Sequence, residues 1–172
     1  MYFSKPFSEE CTDALNQGVS HLLHTSHVYL GMAYGFTVNR KMPTFAQFFE
    51  REAEAKRRIA DQFLELLGKR KCRICRPDNR DFRMTAIDTR IKAIMVAQEL
   101  EEGVRQNLEL LMDISIATNE TDLSKFLEPL LESQKKTDDY LKFQLKHQKR
   151  GARGKQEPMD IEKPSTSSGA GI

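Results

Sequence analysis

Tryptophan is absent from this chain and cysteine is scarce: 172 residues hold only Cys11, Cys72 and Cys75. An odd, sparse set does not read as a disulfide framework. The opening MYFSKPFSEEC has no apolar stretch followed by a small-residue cleavage site, so a secretory signal is not expected there. Reduced thiols in the cytoplasm are the expectation, with the nucleus as the alternative. Long apolar runs are also missing. None approaches the roughly 18 residues of a membrane-spanning helix, so no membrane partner is expected. Charge of one sign is lacking as well, since 27 Lys and Arg face 25 Asp and Glu for a net +2. Bulk charge therefore says little about partners. Strand-like alternation does not compete anywhere with a helical period.

Present instead are four long segments with apolar residues in steps of three and four. The first, from about Ser8 to Val38, carries Leu15, Val19, Leu22, Ser26, Tyr29, Ala33 and Phe36. The second runs from Pro43 to about Lys71, with Pro43 suited to a first helical turn. Its stripe is Phe45, Phe49, Glu52, Lys56, Ile59, Phe63 and Leu66. The third, from about Thr85 to Thr118, carries Ile94, Ala97, Glu101, Val104, Leu108, Leu111 and Ser115. The fourth begins near Asn119 or Thr121, either of which suits a cap. It bears Leu123, Phe126, Leu127, Leu130, Tyr140, Leu141 and Leu145, and Pro129 inside it removes a hydrogen bond and predicts a kink.

Helices of this length and spacing predict an all-α four-helix bundle. The link between the second and third helices, KRKCRICRPDNRDFR, is longer than the ~2–8 residues usual in bundles. It is long enough to run the length of a bundle, so two antiparallel hairpins joined by a crossover are expected. From Gly151 the composition turns to Gly, Pro and Ser with little to bury. Residues 1–150 are therefore read as the bundle and 151–172 as a disordered tail.

Two stripes hold a charge at mid-length, Lys56 and Glu101. A di-iron bundle would need inward carboxylates and a Glu-x-x-His step, because i and i+3 share a helix face. The corresponding step here is Lys56-x-x-Ile59, and neither a protonated lysine nor an isoleucine ligates metal. One reading pairs Lys56 with Glu101 across the core, where loss of either partner costs roughly 3–5 kcal/mol. The other is a surface pair of Glu52 with Lys56 at i,i+4, worth about 0.3–0.5 kcal/mol.

Other clusters are weaker. His21, His24 and His27 recur every third residue, as metal ligands or as ordinary surface and interface packing. Cys72-x-x-Cys75 lacks the second pair that a closed zinc site needs. Lys69, Arg70, Lys71, Arg73, Arg76, Arg80 and Arg83 form a basic loop with two acids among them. With KHQKRGARGK, expected to follow the fourth helix, they are either an anion or nucleic-acid footprint or a solvated loop and soluble tail.

Several stretches resemble the animal ferritins over about residues 11 to 135. SHVYLGMAYGF is similar to the end of that family's first helix. FAQFFEREAEAKRRI is similar to its second, nearer to light chains than to heavy chains. KRKCRI stands where the family has a glycine-containing turn, and ALNQ, LEEGVRQNLELL and DLSKFLE also fit in order and spacing. The resemblance implies a ferritin-like bundle, and it implies where a ferroxidase centre would sit. The first-helix glutamate falls on Leu22, and the second-helix glutamate and histidine fall on Lys56 and Ile59. The third-helix glutamate is retained as Glu101, and the fourth-helix glutamine falls on Lys135 or, shifted by one, on Gln134. Light chains carry a lysine at the position of Lys56, paired with the third-helix glutamate.

The same resemblance places mineral-nucleating carboxylates at Arg51, Glu54, Ala55 and Arg58, of which only Glu54 survives. It places ion-channel acids at Lys125 and Glu128, and it finds no apolar counterpart of a fifth helix. The resemblance thus implies a structural ferritin subunit without its own ferroxidase centre or bound cofactor. Its partners would be other copies or other ferritin subunits, with iron only as mineral stored in a mixed shell. The alternative is a repurposed bundle that stores no iron and binds nucleic acid or other anions through the basic loop and tail.

Overall fold

The computed structural model describes residues 5–38, 42–77, 87 and 89–156, with side chains through 152. Four helices account for the fold: α1 Glu9–Val38, α2 Pro43–Lys69, α3 Arg90–Ala117 and α4 Thr121–Gln156. The start of α1 is fixed by Ser8, whose Oγ accepts from the Cys11 amide at 3.1 Å. Glu9 and Glu10 then place negative charge against the positive end of the helix dipole. At α2 Pro43 occupies the first turn, and at α3 Thr89 Oγ1 accepts from the Lys92 amide at 3.1 Å. That cap starts α3 at Arg90; the expected start at Thr85 lies outside the described residues.

Two helix ends differ from expectation for one reason. Asn119 has φ 57° and Lys71 has φ 55°, so both occupy the left-handed region. At Asn119 the amides of Asn119 and Glu120 return to the Ile116 and Ser115 carbonyls at 3.3 and 2.8 Å. At Lys71 the amides of Lys71 and Cys72 return to Gly68 and Leu67 at 3.1 and 2.9 Å. Both are left-handed terminations that satisfy the last carbonyls. Asn119 therefore ends α3 and does not cap α4. Thr121 is already helical, and α4 opens from Glu120, whose carbonyl accepts from the Ser124 amide at 3.0 Å. α2 accordingly stops at Lys69, two residues short of the expected end.

α4 continues through Pro129 as one helix and runs on to Gln156. A glycine inside a helix costs only about 1 kcal/mol, so Gly151 does not stop it. The segment KHQKRGARGK thus lies within α4, and residues 157–172 lie outside those described.

Cross-helix hydrogen bonds set the directions. Asn107 Nδ2 donates to the Ala14 carbonyl at 2.9 Å, His21 Nε2 lies 2.8 Å from the Leu100 carbonyl oxygen, and the Tyr29 hydroxyl reaches the Ala97 carbonyl at 3.4 Å. Numbers rise along α1 as they fall along α3, so these helices are antiparallel. Tyr29 meets Phe49 and Phe36 meets Phe45, so α1 and α2 are antiparallel as well; α2 and α3 are then parallel, and their connection must traverse the bundle. Its described parts lie at opposite ends: Asn16 near the start of α1 binds the Arg73 carbonyl and the Cys75 amide, while Ile87 is buried with Phe36 and Phe49. This is the expected pair of hairpins with a long crossover. α2 and α4 meet through large rings, Phe63 with Phe126 and Phe48 with Tyr140, at centroid distances of 6.2 and 5.0 Å.

The core is split. Leu15, Phe63, Leu108 and Leu127 belong to one apolar cluster, and Phe36, Phe49, Ile94 and Leu141 to another. α1 and α3 approach closely beside the first cluster because Gly18 and Gly103 have no side chain. A Cβ on Gly18 would stand 2.4 Å from Asn107 Oδ1 and 2.7 Å from Phe63 Cε2. Phe63 is fully buried and cannot retreat. Gly18→Ala should therefore destabilise the bundle by about 1–3 kcal/mol, the usual cost of overpacking. Helix propensity alone predicts the opposite, a gain of about 1 kcal/mol. A urea titration decides between them by the direction in which the midpoint moves.

Candidate functional site: a buried charged layer between two apolar clusters

Between the two clusters all four helices contribute polar side chains to one layer. From α2, Lys56 is 3% exposed, and from α3, Glu101 is 1% exposed. Ala53 and Ala60, small and buried on the same face, leave room for the long lysine stem. Lys56 Nζ lies 3.0 Å from Glu101 Oε2 and 3.0 Å from Glu52 Oε1. The core pair and the i,i+4 pair weighed from the sequence are thus made together, by one ammonium group.

Both carboxylate oxygens of Glu101 are engaged. Tyr29 of α1 donates its hydroxyl to Oε2 at 2.6 Å, and Gln134 of α4 donates Nε2 to Oε1 at 2.7 Å. Gln134 also donates to Asp138 Oδ1 at 3.1 Å, and Asp138 Oδ2 lies 3.6 Å from Arg105 Nε. The layer therefore passes from core to surface through a chain of polar contacts. Of the two candidates on the fourth helix, Gln134 is buried in the layer and Lys135 is exposed.

The electrostatics derive from this geometry. Burial is the largest single influence on Lys56 and acts to lower its pKa. The carboxylates of Glu101 and Glu52 together outweigh it, and the net direction is upward. Burial, then the neighbouring Glu101 charge, pushes the Tyr29 phenol well above its ordinary range. Asp138 is raised chiefly by burial. Leu22 and Ile59 pack against the first apolar cluster and offer no donor atom. An ammonium has no lone pair, so the layer can hold charge and fix helix register but supplies few free ligand atoms.

The remaining sequence-derived positions are scattered. Glu54 is exposed and paired with Arg57 at 2.7 Å, between exposed Arg51 and Arg58. Lys125 and Glu128 are exposed on α4, and Glu128 helps line a surface depression with Glu132 and Lys135. His21 is turned to the Leu100 carbonyl while His27 is exposed. Among the described residues no three His, Cys, Asp or Glu side chains converge as a metal site. Cys72 Sγ accepts from the Phe7 amide at 3.3 Å, and Cys75 is exposed. Burial pushes the Cys11 thiol up to about 11.

In the basic loop, Arg70 pairs with Glu120 and lies 4.1 Å over the Phe7 ring, and Arg73 pairs with Glu9 and Asp13. Lys69, Lys71 and Arg76 are exposed, and Arg80 and Arg83 lie outside the described residues. Sequence reasoning missed Tyr29, Asp138 and Arg105 as members of the layer. Tyr29 stood on an apolar stripe, and only its hydroxyl distinguished it from its neighbours.

A four-helix bundle of two hairpins, a lengthwise crossover and a charged central layer defines the class of protein. A family model described as a ferritin-like domain matches residues 12–150. The chain belongs to the ferritin family, and by that membership it is a subunit of the iron-storage type. It is similar to the soma ferritin of Lymnaea stagnalis, 29% identical over 141 residues, covering 78% of this chain and 81% of the relative. It is also similar to a ferritin middle subunit of Salmo salar, 29% identical over 123 residues, covering 71% and 70%. A ferritin heavy chain of Echinococcus granulosus is 27% identical over 123 residues, covering 71% of each chain.

The layer can be tested by substitution and by pH. Glu101→Ala leaves the buried ammonium with Glu52 alone and takes the acceptor from Tyr29 and Gln134, and should cost about 3–5 kcal/mol. For a chain of this size that is roughly 6–20 °C in melting temperature. Lys56→Met combined with Glu101→Leu should recover much of the loss in the same calorimetric melt. The folded pKa of Lys56 lies above its unfolded value, so its contribution is complete below about pH 10 and is lost as pH rises through the folded value. Tyr29, also raised, has the same sign. Stability should fall above about pH 10, and the fall should be shallower in Lys56→Met.

Proposed function

We propose that this chain is a structural subunit of an iron-storage assembly, without a ferroxidase centre of its own, working beside subunits that oxidise iron(II). One observation carries the reading: the Lys56 ammonium lies between Glu52 and Glu101 where a dinuclear iron centre would need open carboxylate oxygens. Every oxygen of Glu101 already accepts a hydrogen bond or ion pair. Leu22 and Ile59 add no ligand, so these residues do not fit a di-iron group.

Two surface features support the same reading. Arg51 and Arg58 flank Glu54 and repel ferric ions, which need clustered hard oxygen ligands. Leu30, Tyr34 and Val38 stand one turn apart on α1 and are exposed, as suits a chain that meets neighbouring subunits. Iron in this reading is cargo of a mixed shell. The cytoplasm is the proposed compartment, and among the described residues no helix is long and apolar enough to cross a membrane.

The anion-binding alternative is weakened at Arg70 and Arg73, which are neutralised by Glu120, Glu9 and Asp13.

The test is particle mass by light scattering, with the chain alone and co-expressed with an active heavy chain, followed by iron(II) oxidation. The expected outcome is co-assembly, no oxidation by the lone chain above the buffer rate, and mixed particles whose rate tracks their heavy-chain content. A chain that stays monomeric in both settings, or oxidises iron(II) alone, overturns the reading.

A further inference from the structure

Several arginines on this surface are matched by acids. Arg57 pairs with Glu54 and Asp61, Arg105 with Glu102 and Glu109, Arg70 with Glu120, and Arg73 with Glu9. The far end of α4 is different. From Tyr140 to Gln156 there is no Asp or Glu, while Lys142, Lys146, Lys149, Arg150, Arg153 and Lys155 succeed one another. Lys142, Lys146, Lys149 and Arg150 are exposed, at i, i+4, i+7 and i+8, which is one face of a helix. Among the described residues none of these four is in an ion pair.

The apolar positions of the same segment are already used. Leu141 is buried in the core, and Leu145 is the last side chain packed against it. The remaining turns continue for about 16 Å, at the usual helical rise. Beside the basic stripe stands Phe143, 63% exposed. The His147 ring stacks on it at 6.3 Å with an interplanar angle of 10°.

We propose that the C-terminal end of α4 is a binding surface for single-stranded nucleic acid. Lys142, Lys146, Lys149 and Arg150 hold backbone phosphates, and the open face of the Phe143–His147 pair takes a base. A row of unmatched cations with an adjoining flat ring is the combination that grips a single strand without reading its sequence. An anionic bilayer is the poorer fit, because an interfacial helix needs a broad free apolar face, whereas Leu141 and Leu145 face the bundle and residues 146–156 carry no large apolar side chain. The surface is separate from the charged layer around Lys56, so this proposal and the iron-storage reading fail independently.

The test uses the full chain and a fluorescently labelled oligothymidylate, with anisotropy read across a salt series. Four phosphate contacts predict a slope of roughly −3 in log affinity against log salt, or about a fifty-fold loss between about 50 and 200 mM. Replacing Lys142, Lys146, Lys149 and Arg150 together by Gln should flatten that slope. Phe143→Ser should weaken binding by roughly 5- to 150-fold with the slope kept, as expected for loss of one stacked base. Both variants change exposed side chains, and unchanged helical circular dichroism verifies that they fold. Salt-independent or absent binding overturns the proposal. So does a four-fold variant that binds like the parent, a Phe143→Ser variant that binds as tightly as the parent, or capture by phosphatidylserine vesicles in preference to the oligonucleotide.

Discussion

A carboxylate with no free oxygen organises the middle of this bundle. Glu101 is almost wholly buried, and it receives an ammonium from α2, a phenol from α1 and an amide from α4. Taking a carboxylate out of water costs several kcal/mol unless its oxygens find donors. Here three helices supply those donors to the fourth. Apolar packing tolerates a range of helix offsets, but hydrogen bonds of 2.6 to 3.0 Å do not. The layer therefore sets how the helices slide and rotate against one another. A one-residue slip of α4 would bring Lys135 toward Lys56 and place two like charges in the interior.

The same arrangement bears on the proposed lack of a ferroxidase centre. An open metal centre keeps carboxylate oxygens available and must hold them apart at some energetic cost. In this chain the ammonium takes the oxygens, and Leu22 and Ile59 extend the apolar packing to the edge of the layer. In the proposed reading, the positions that would make the bundle an oxidant of iron instead help to hold it together.

Much of the fold was readable from spacing alone. The three-four stripes locate all four helices, and the length of the link after α2 implies the crossover. The helix ends were harder. Asparagine is favoured both as an N-cap and in the left-handed region, and Asn119 is used in the second way. Gly151 looked like a boundary, yet a single glycine is too weak a signal to stop a long helix. Lys56 and Glu101 stood out because charge on an apolar stripe needs a partner. Tyr29 did not, since a stripe position shows burial and is silent on where the hydroxyl goes. Gln134 and Lys135 were indistinguishable, because Pro129 upstream leaves the register of α4 to tertiary packing.

The charged layer also divides the interior into two compartments. Phe63 lies in one and Phe49 in the other, and the two clusters share no member. Injuries to the two compartments should then accumulate by simple addition, as they do for distant sites. Both halves then draw on one shared margin of stability, so drift accepted in one compartment narrows what the other can accept.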